Sequence, residues 1–281
     1  MRPAVHVSTL MAERVLIAMT LAAAILAGQP LVAQSTDLDG IAHVALRVAD
    51  LDKSRQFYET LGFEKAFEFA EADKATELFM KVNDRQFIEL YPRTQDSQAV
   101  GLMHVCYEVR DIESLGIAYT QRGLNPPEAK KFRACNLLFV VHDPEGQIVE
   151  YTQYLPGSLH AEDKGKHLGE RRLSSQLQGV ASPVKDVAAA KAFYVDKLGF
   201  KPLDTSQSLL RLPGESGDEL ALVPEPAKVQ ITFSVQREKD TAKNLKQRAL
   251  IPHPDRHWVS VSDPDGNLIV FRSAMKAARS E

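Results

Sequence analysis

Apolar and polar residues alternate in several short segments between residues 40 and 154, as in strands that bury one face. In the first of these segments, Val44, Leu46 and Val48 share one face, while His43, Ala45 and Arg47 share the other. The same alternation predicts strands over residues 64–69, 76–82 and 86–91. The first segment is therefore expected to form a strand whose apolar face packs against the core.

A helix is predicted between the first strand and the next three. Asp50 offers an N-cap oxygen, and Gly62 follows the last apolar position as a stop signal. The apolar stripe between them is formed by Leu51, Phe57, Tyr58 and Leu61. The unit is therefore strand, helix and three strands, or βαβββ.

The same unit recurs along the chain. A second copy has a strand at 104–109, a helix that begins after Asp111 and ends at Gly123, and strands at 137–141 and 147–153, with a turn at 143–146. A third and a fourth copy follow residue 176. The pattern predicts an α+β fold of four βαβββ modules, paired in domains 34–157 and 176–281. The polar segment 158–175 between them is expected to be a linker, with His160 and His167 in contact with solvent.

The first two copies carry a matching pair of chemically active residues. His43 stands on the first strand of copy one and Glu89 on its last strand, and His104 and Glu150 hold the same places in copy two. Both pairs are separated by 46 residues. Two imidazoles and two carboxylates suit a divalent metal ion, provided that the copies pack together. In copies three and four these places are taken by Gly179, Ala221, Gln230 and Val270, so the second half is expected to keep the scaffold without the site.

Residues 1–33 have the features of an export signal. An uninterrupted run of apolar and small residues, from Val15 to Gly28, is too short for the roughly 20 residues that cross a bilayer, and a cleavage point is expected after Ala33, although Leu31 is larger than the usual residue three places before a cut. A cleaved signal predicts a periplasmic or secreted protein with no membrane segment after cleavage. An uncleaved anchor is the alternative.

Charge and cysteine content narrow the classes of partner. The net charge of −3 comes from mixed signs without a basic stripe, which argues against nucleic acid. Two cysteines, Cys106 and Cys135, are a thin disulfide framework, and free thiols are expected. A small-molecule substrate is the expected partner, at a site formed within one chain or between the chains of a homodimer.

The ordered recurrence of these motifs resembles the vicinal oxygen chelate superfamily, which includes glyoxalase I, extradiol dioxygenases and the bleomycin resistance proteins. The residues that carry the resemblance are Phe57-Tyr58, Leu61-Gly62-Phe63, the turn 143–146 and the two His and Glu pairs. The resemblance implies that paired modules form two cup-shaped, glyoxalase-like domains, with the metal ligands on the concave face.

Within that superfamily, the quartet of His43, Glu89, His104 and Glu150 is similar to the glyoxalase I pattern, which implies zinc, nickel or cobalt. Ring-cleaving dioxygenases use two His and one Glu with iron or manganese, and carry a further His and Tyr before the turn. Here those places fall on Arg133, Ala134 and Val140. The expected chemistry is therefore that of a lyase or isomerase, in which a metal-bound enediolate forms and Glu150 or Glu89 moves the proton.

Two alternatives remain open, a ring-cleaving dioxygenase and a resistance-type protein that binds a small molecule without turnover. An exported protein would meet little of the cytosolic glutathione that glyoxalase I requires. The residues expected to line the substrate site share strand faces with the ligands; they are Arg47, Phe87, Tyr91, Cys106, Glu108 and Thr152.

Overall fold

The first half of the chain forms two βαβββ modules. The computed structural model describes residues 37–203 and 208–273. The first module consists of β1 (Gly40–Val48), α1 (Leu51–Thr60), β2 (Glu64–Glu71), β3 (Lys74–Lys81) and β4 (Phe87–Pro92). The second consists of β5 (Gly101–Glu108), α2 (Ile112–Gln121), β6 (Lys130–Lys131), β7 (Leu137–His142) and β8 (Ile148–Gln153), followed by the short helix α3 (Leu159–Glu162).

The second half repeats this arrangement. The third module consists of β9 (Leu177–Val184), α4 (Val187–Ala192), a π-helical turn (Phe193–Lys197), β10 (Lys201–Pro202), β11 (Leu209–Arg211) and β12 (Glu219–Pro224). The fourth consists of β13 (Gln230–Val235), α5 (Glu238–Gln247), β14 (His253–Pro254), β15 (Val259–Ser262) and β16 (Leu268–Ser273).

Each half forms one eight-stranded sheet. The strand orders are β2-β3-β4-β1-β5-β8-β7-β6 and β10-β11-β12-β9-β13-β16-β15-β14. In both sheets the first strands of the two modules pair antiparallel at the centre, and each pairs in parallel with the last strand of its own module. The predicted α+β fold of four βαβββ modules is confirmed.

The helices begin and end where the sequence predicts. The Asp50 side chain accepts a hydrogen bond from the Lys53 amide at the start of α1, and the Asp111 side chain accepts one from the Ser114 amide at the start of α2. Gly62 follows α1 with φ at +92°, a conformation that a side chain disfavours.

One continuous hydrophobic core joins the two sheets, and the described residues belong to a single compact unit. The Phe63 and Phe233 ring centroids lie 5.1 Å apart, and those of Tyr107 and Phe200 lie 5.5 Å apart. Val44, Leu46 and Val48, the apolar face of β1, belong to this core, as the alternation predicts. The opposite face of β1, which carries His43, is the face that positions the site.

The prediction that His160 contacts solvent is wrong. It lies on α3 and its side chain is only 5% exposed. The segment after β8 is held against β3 by the fully buried Lys81, whose Nζ donates to Asp163 Oδ2 at 2.7 Å and lies 2.9 Å from Asp84 Oδ1. The His167 side chain is 42% exposed, and its Nδ1 lies 2.5 Å from Asp163 Oδ1. The pattern missed this packing because the segment has no apolar period and is held by polar contacts.

Residues 1–36, which include the predicted export signal at 1–33, lie outside the described residues. In the part of the chain that the structure describes, no helix is long and apolar enough to cross a membrane.

Candidate metal centre

Four neighbouring strands bring the predicted ligands to one face of the first sheet. Ala45 on β1 pairs with both Glu89 on β4 and His104 on β5. His43 pairs with Cys106 on β5, which in turn pairs with Glu150 on β8. The order β4-β1-β5-β8 therefore places one His and one Glu from each module around the centre of the sheet.

The side chains of these four residues converge. The Nε2 atoms of His43 and His104 are 3.0 Å apart, and His43 Nε2 is 3.4 Å from Glu150 Oε1. His104 Nε2 lies 3.8 Å from an oxygen of each glutamate. His43 Nδ1 lies 3.1 Å from Glu89 Oε1, without the alignment of a hydrogen bond.

Burial shifts the pKa values of the two glutamates in opposite directions. Desolvation is the largest influence on the Glu89 pKa and raises it to about 8. Desolvation also favours the neutral form of Glu150, but the hydrogen bond from His43 and the charges of both histidines outweigh it and lower the Glu150 pKa to about 2.

The pKa values of the two histidines are also shifted in opposite directions. Burial lowers the pKa of His104 to about 4. Burial acts in the same direction on His43, but the adjacent Glu89 and Glu150 carboxylates raise its pKa overall. The two imidazoles and two carboxylates are buried together, and a bound divalent ion would favour the deprotonated, metal-binding form of each.

The residues present fit a divalent metal ion. Metal–ligand bonds of about 2.0–2.2 Å place neighbouring ligand atoms roughly 3.0–3.5 Å apart, close to the separations found here. The donor atoms form two triads, each within 4.8 Å, and both contain His43. Nitrogen and carboxylate donors suit zinc, nickel, cobalt, iron and manganese alike. The triads are His43, Glu89 and His104, and His43, Cys106 and Glu150.

A tyrosine hydroxyl lies between Glu89 and a third glutamate and contacts both. The Tyr91 hydroxyl lies 2.8 Å from Glu77 Oε1 and 3.1 Å from Glu89 Oε2. Desolvation is the main reason that the pKa of Glu77 is raised. Glu77 was not predicted, although it occupies the same face of β3 as Phe79, which pairs with Glu89. The alternation along this strand, which puts Glu77 on the same face as Phe79, was the sequence signal that could have identified Glu77.

A cavity of about 410 Å³ opens above the cluster. His43, Glu89 and Glu150 line it, and the rest of its lining is mainly apolar. This size is within the roughly 300–1,000 Å³ range of small-molecule pockets. Its aromatic and imidazole walls are Phe69, Phe79, Tyr91, Phe132, Phe139, Tyr154 and His160.

Two of the six side chains expected to contact substrate, Tyr91 and Thr152, line the cavity, and the other four lie elsewhere. Arg47 donates to the Ala99 carbonyl at 3.3 Å, and Glu108 accepts from Arg85 at 2.7 Å. Phe87 is fully buried beneath His160, with ring centroids 4.8 Å apart. Cys106 is a buried free thiol beside Glu150, and burial raises its pKa well above the usual value; Cys135 is free and exposed.

His160 forms part of the cavity wall, and its neighbours determine which ring nitrogen carries the proton. Asn136 Oδ1 accepts from the Leu155 amide at 3.1 Å, which orients the Asn136 amide nitrogen toward His160 Nδ1, 2.8 Å away. His160 Nδ1 is therefore the acceptor, and its proton is on Nε2, a buried atom without a hydrogen-bond partner among the described residues. Burial lowers the His160 pKa to about 3, so the ring is neutral. Nothing in the local sequence distinguishes this histidine from a solvated one.

The second sheet repeats the strand registers but lacks the ligands. Gly179 pairs with Glu219 at the register where His43 pairs with Phe87 in the first sheet, so Gly179 takes the place of His43. By the same comparison, the places of Glu89, His104 and Glu150 are taken by Ala221, Gln230 and Val270. Arg272 forms an ion pair with Glu219 at 2.7 Å. A Cβ atom on Gly179 would lie 3.0 Å from the Glu219 carbonyl oxygen. The registers confirm the predicted replacements, Gly179, Ala221, Gln230 and Val270.

Paired βαβββ modules that form one eight-stranded sheet in each half are the architecture of the glyoxalase-type fold. The family model described as "Glyoxalase/Bleomycin resistance protein/Dioxygenase superfamily" matches residues 40–151 and 176–271. The chain belongs to this superfamily. The two matched ranges correspond to the two sheets.

Solved structures with the same fold include members with different activities. The Mn(II)-bound glyoxalase from Novosphingobium aromaticivorans is 17% identical, with a TM-score of 0.66 over 85% of this chain and 83% of that chain. An extradiol ring-cleaving dioxygenase from B. fuscum is 18% identical, with a TM-score of 0.65 over 88% of this chain and 74% of that chain. Homoprotocatechuate 2,3-dioxygenase from Brevibacterium fuscum, in complex with 3,4-dihydroxyphenylacetate, is 19% identical, with a TM-score of 0.62 over 88% and 83% of the two chains. No curated protein matches the sequence. At these identities the likeness concerns the fold.

Proposed function

We propose that the protein is a divalent-metal-dependent enzyme with glyoxalase-like lyase or isomerase chemistry. The observation that carries the proposal is the convergence of four ligand side chains, two imidazoles and two carboxylates, with separations from 3.0 to 3.8 Å. Two His and one Glu would suffice for a dioxygenase, so the fourth residue, Glu89, is the distinguishing one. Zinc, nickel or cobalt is the expected ion.

The bound ion would polarise two adjacent substrate oxygens and stabilise the negative charge that develops when a neighbouring carbon loses its proton. One carboxylate, Glu150 or Glu89, accepts that proton and returns it to the adjacent carbon. The apolar walls exclude water during the transfer, and the Tyr91 hydroxyl holds Glu89 in place.

A second candidate is an extradiol-type ring-cleaving dioxygenase, and His160 favours it. The resemblance to ring-cleaving dioxygenases implies a His and a Tyr beside the substrate, and the corresponding wall positions here are Arg133, Ala134 and Val140. His160 supplies an imidazole to the same cavity from a different segment. This candidate requires iron or manganese and consumes oxygen. A non-catalytic, resistance-type protein would bind its ligand in the cavity without either reaction.

The metal content of the purified protein, measured by mass spectrometry, tests these candidates. Near-stoichiometric zinc, nickel or cobalt that falls sharply in Glu89→Gln supports the four-ligand enzyme. Glu108→Gln is the matched control, because Glu108 shares a strand face with His104 but is paired with Arg85, and this variant should keep its metal. Iron retained in Glu89→Gln, together with oxygen consumption, supports the dioxygenase; manganese alone does not separate the two, since a Mn(II)-bound glyoxalase shares the fold. If no divalent ion binds even after reconstitution, the enzymatic proposal fails.

The proposed location is the periplasm or the cell exterior, on the basis of the apolar run within residues 1–33. Fractionation of cells that express the full chain, with mass measurement of the mature N-terminus, tests it. A protein retained in the cytoplasm with residue 1 intact would contradict it.

A further inference from the structure

A cysteine belongs to a second set of donor atoms in the metal cluster, and the inference drawn from it rests on the proposed metal-dependent function. Cys106 lies on β5 two residues after His104, so both side chains point to the same face of the sheet. Its register partners are His43 on β1 and Glu150 on β8. Cys106 is therefore flanked on both neighbouring strands by a residue proposed to hold the metal.

The three side chains are close enough to share one ion. The sulfur of Cys106 and donor atoms of His43 and Glu150 all lie within 4.8 Å of one another. A zinc ion has bonds of about 2.3 Å to sulfur and about 2.0–2.2 Å to nitrogen or oxygen, which places its ligand atoms roughly 3.5 Å apart. Small movements of the side chains are enough to bring the three donors to these separations.

Two buried polar atoms of this triad have weak contacts or none. Cys106 is fully buried and forms no disulfide, and the hydrogen bond from its sulfur to the Tyr107 carbonyl is long, at 4.0 Å. The His43 side chain is only 5% exposed, and its Nδ1 has no hydrogen-bond partner among the described residues. Because buried polar groups are normally satisfied, a triad of this kind points to a partner other than the protein.

The other modules indicate that packing does not require a thiol at this place. Ala45, two residues after His43, holds the corresponding position on β1 and is also fully buried. In the second sheet, where β13 corresponds to β5, the position is Thr232. A methyl group fills the place on β1, so the sulfur of Cys106 adds a donor to one side of the cluster only.

The thiol does not occupy the space that a substrate needs. His43, Glu89 and Glu150 line the cavity, whereas Cys106 does not. Coordination by Cys106 would therefore leave the cavity side of the cluster to substrate oxygens.

We propose that Cys106 is an additional donor of the metal centre and that its sulfur determines which divalent ion the protein selects. The thiol binds as a thiolate and releases its proton to solvent when the ion enters. Sulfur is a soft ligand that favours zinc, whereas manganese prefers oxygen donors. Two imidazoles and two carboxylates alone would accept either ion, and Cys106 shifts the preference toward zinc.

Cobalt(II) reports on this donor, because a cobalt–thiolate bond gives a strong charge-transfer absorption in the near ultraviolet that nitrogen and oxygen ligands do not give. The metal-free protein is titrated with cobalt, and the cobalt bound per chain is measured by mass spectrometry. The wild type should show this sulfur band, and Cys106→Ser should lose it while it still binds cobalt. Cys135→Ser is the matched control, because Cys135 is free and exposed, and this variant should keep the band.

Competition between zinc and manganese measures the selectivity. The ratio of zinc affinity to manganese affinity should fall by about tenfold or more in Cys106→Ala and stay unchanged in Cys135→Ser. Alanine is chosen because Ala45 fills the corresponding place on β1, and thermal unfolding of the metal-free variants checks the fold. An unchanged ratio in Cys106→Ala would overturn the role of Cys106 in selecting the ion.

The cobalt titration separates this inference from the proposed function. Stoichiometric cobalt without a sulfur band in the wild type would overturn the role of Cys106 and leave the four-residue metal site standing. A band that persists in Cys106→Ser would overturn it as well. Glu89 belongs to the other triad, so the cobalt that remains bound in Glu89→Gln should keep its band, and loss of the band there would contradict the triad of Cys106. If the wild type binds no divalent ion, both proposals fail.

Discussion

The Tyr91 hydroxyl donates one proton between two carboxylates, with its oxygen 2.8 Å from Glu77 and 3.1 Å from Glu89. Of the two acceptors, Glu89 is one of the four residues proposed to hold the metal and Glu77 is not. Tyr91 therefore orients a proposed ligand from outside the ligand set, a position from which residues of metal centres commonly tune metal affinity.

Removal of this hydroxyl should weaken metal binding. In Tyr91→Phe, Glu89 and Glu77 lose their shared donor, and we expect the affinity for the divalent ion to fall about 10- to 100-fold with the fold intact. Competition with a chelating dye measures the affinity, and circular dichroism checks the fold. The control is Tyr154→Phe, since the Tyr154 hydroxyl donates to the Arg85 carbonyl at 3.1 Å. Equal losses in both variants would contradict a role specific to Tyr91.

The fully buried Lys81 should be a major contributor to stability. Its ammonium group contacts Asp163 at 2.7 Å and Asp84 at 2.9 Å, and Lys81→Met would leave the buried Asp163 without the ammonium group. Loss of one partner of a buried ion pair costs about 3–5 kcal/mol, which urea unfolding measures. Lys65→Met is the control because the Lys65–Glu68 pair is solvent-exposed and should contribute about 0–1 kcal/mol. Similar losses in both variants would show that the Lys81 contacts contribute little.

The strands and the convergence of the four proposed ligand residues could be predicted because local patterns determine them. Alternation fixes which face of β1 packs into the hydrophobic core, and the equal spacing of the two His and Glu pairs places them at equivalent points of a repeated unit. The positions of Arg47 and Arg133 could not be predicted in this way. Whether an arginine on the correct face reaches the cavity depends on strand curvature and on neighbouring loops, which no short pattern encodes.

The packing of the segment after β8 was even less predictable from the sequence. His160 is buried by contacts with side chains far away in sequence, including Phe67 at 5.0 Å and Asn136 at 2.8 Å. Polar anchors such as the Lys81–Asp163 pair have no periodicity, so the segment has the composition of a solvated linker. Tertiary contacts of this kind appear only once the sheet has been formed.

Asp218 should make stability depend on pH. It is buried, and desolvation raises its pKa to about 7 although its Oδ2 accepts the Ile41 amide at 2.9 Å. Because the folded state binds this proton more tightly than the unfolded chain, whose Asp pKa is about 3.9, the contribution is greatest below that value and is lost as pH rises toward 7.

Asp218→Asn keeps an acceptor for the Ile41 amide and cannot ionise. Relative to this variant, the wild type should therefore lose roughly 2–4 kcal/mol of unfolding free energy between pH 4 and pH 8, as measured by urea titrations across that interval. Asp50→Asn should show the opposite trend, since the hydrogen bond from the Lys53 backbone lowers the pKa of Asp50. A pH-independent difference between wild type and Asp218→Asn would contradict the prediction.

Gly62 combines a helix stop with a close approach of distant backbone, and two glycine variants separate these effects. Its φ is +92°, and a Cβ atom there would lie 2.5 Å from the Arg171 carbonyl oxygen. Gly146 has a similar φ of +83° but no atom within 4 Å of the corresponding position. Gly146→Ala should therefore show the conformational cost alone, about 1 kcal/mol. Gly62→Ala should cost at least about 1–3 kcal/mol more, because the chain at Arg171 must move away. Thermal unfolding of both variants measures the difference, and equal losses would mean that the segment at residue 171 yields freely.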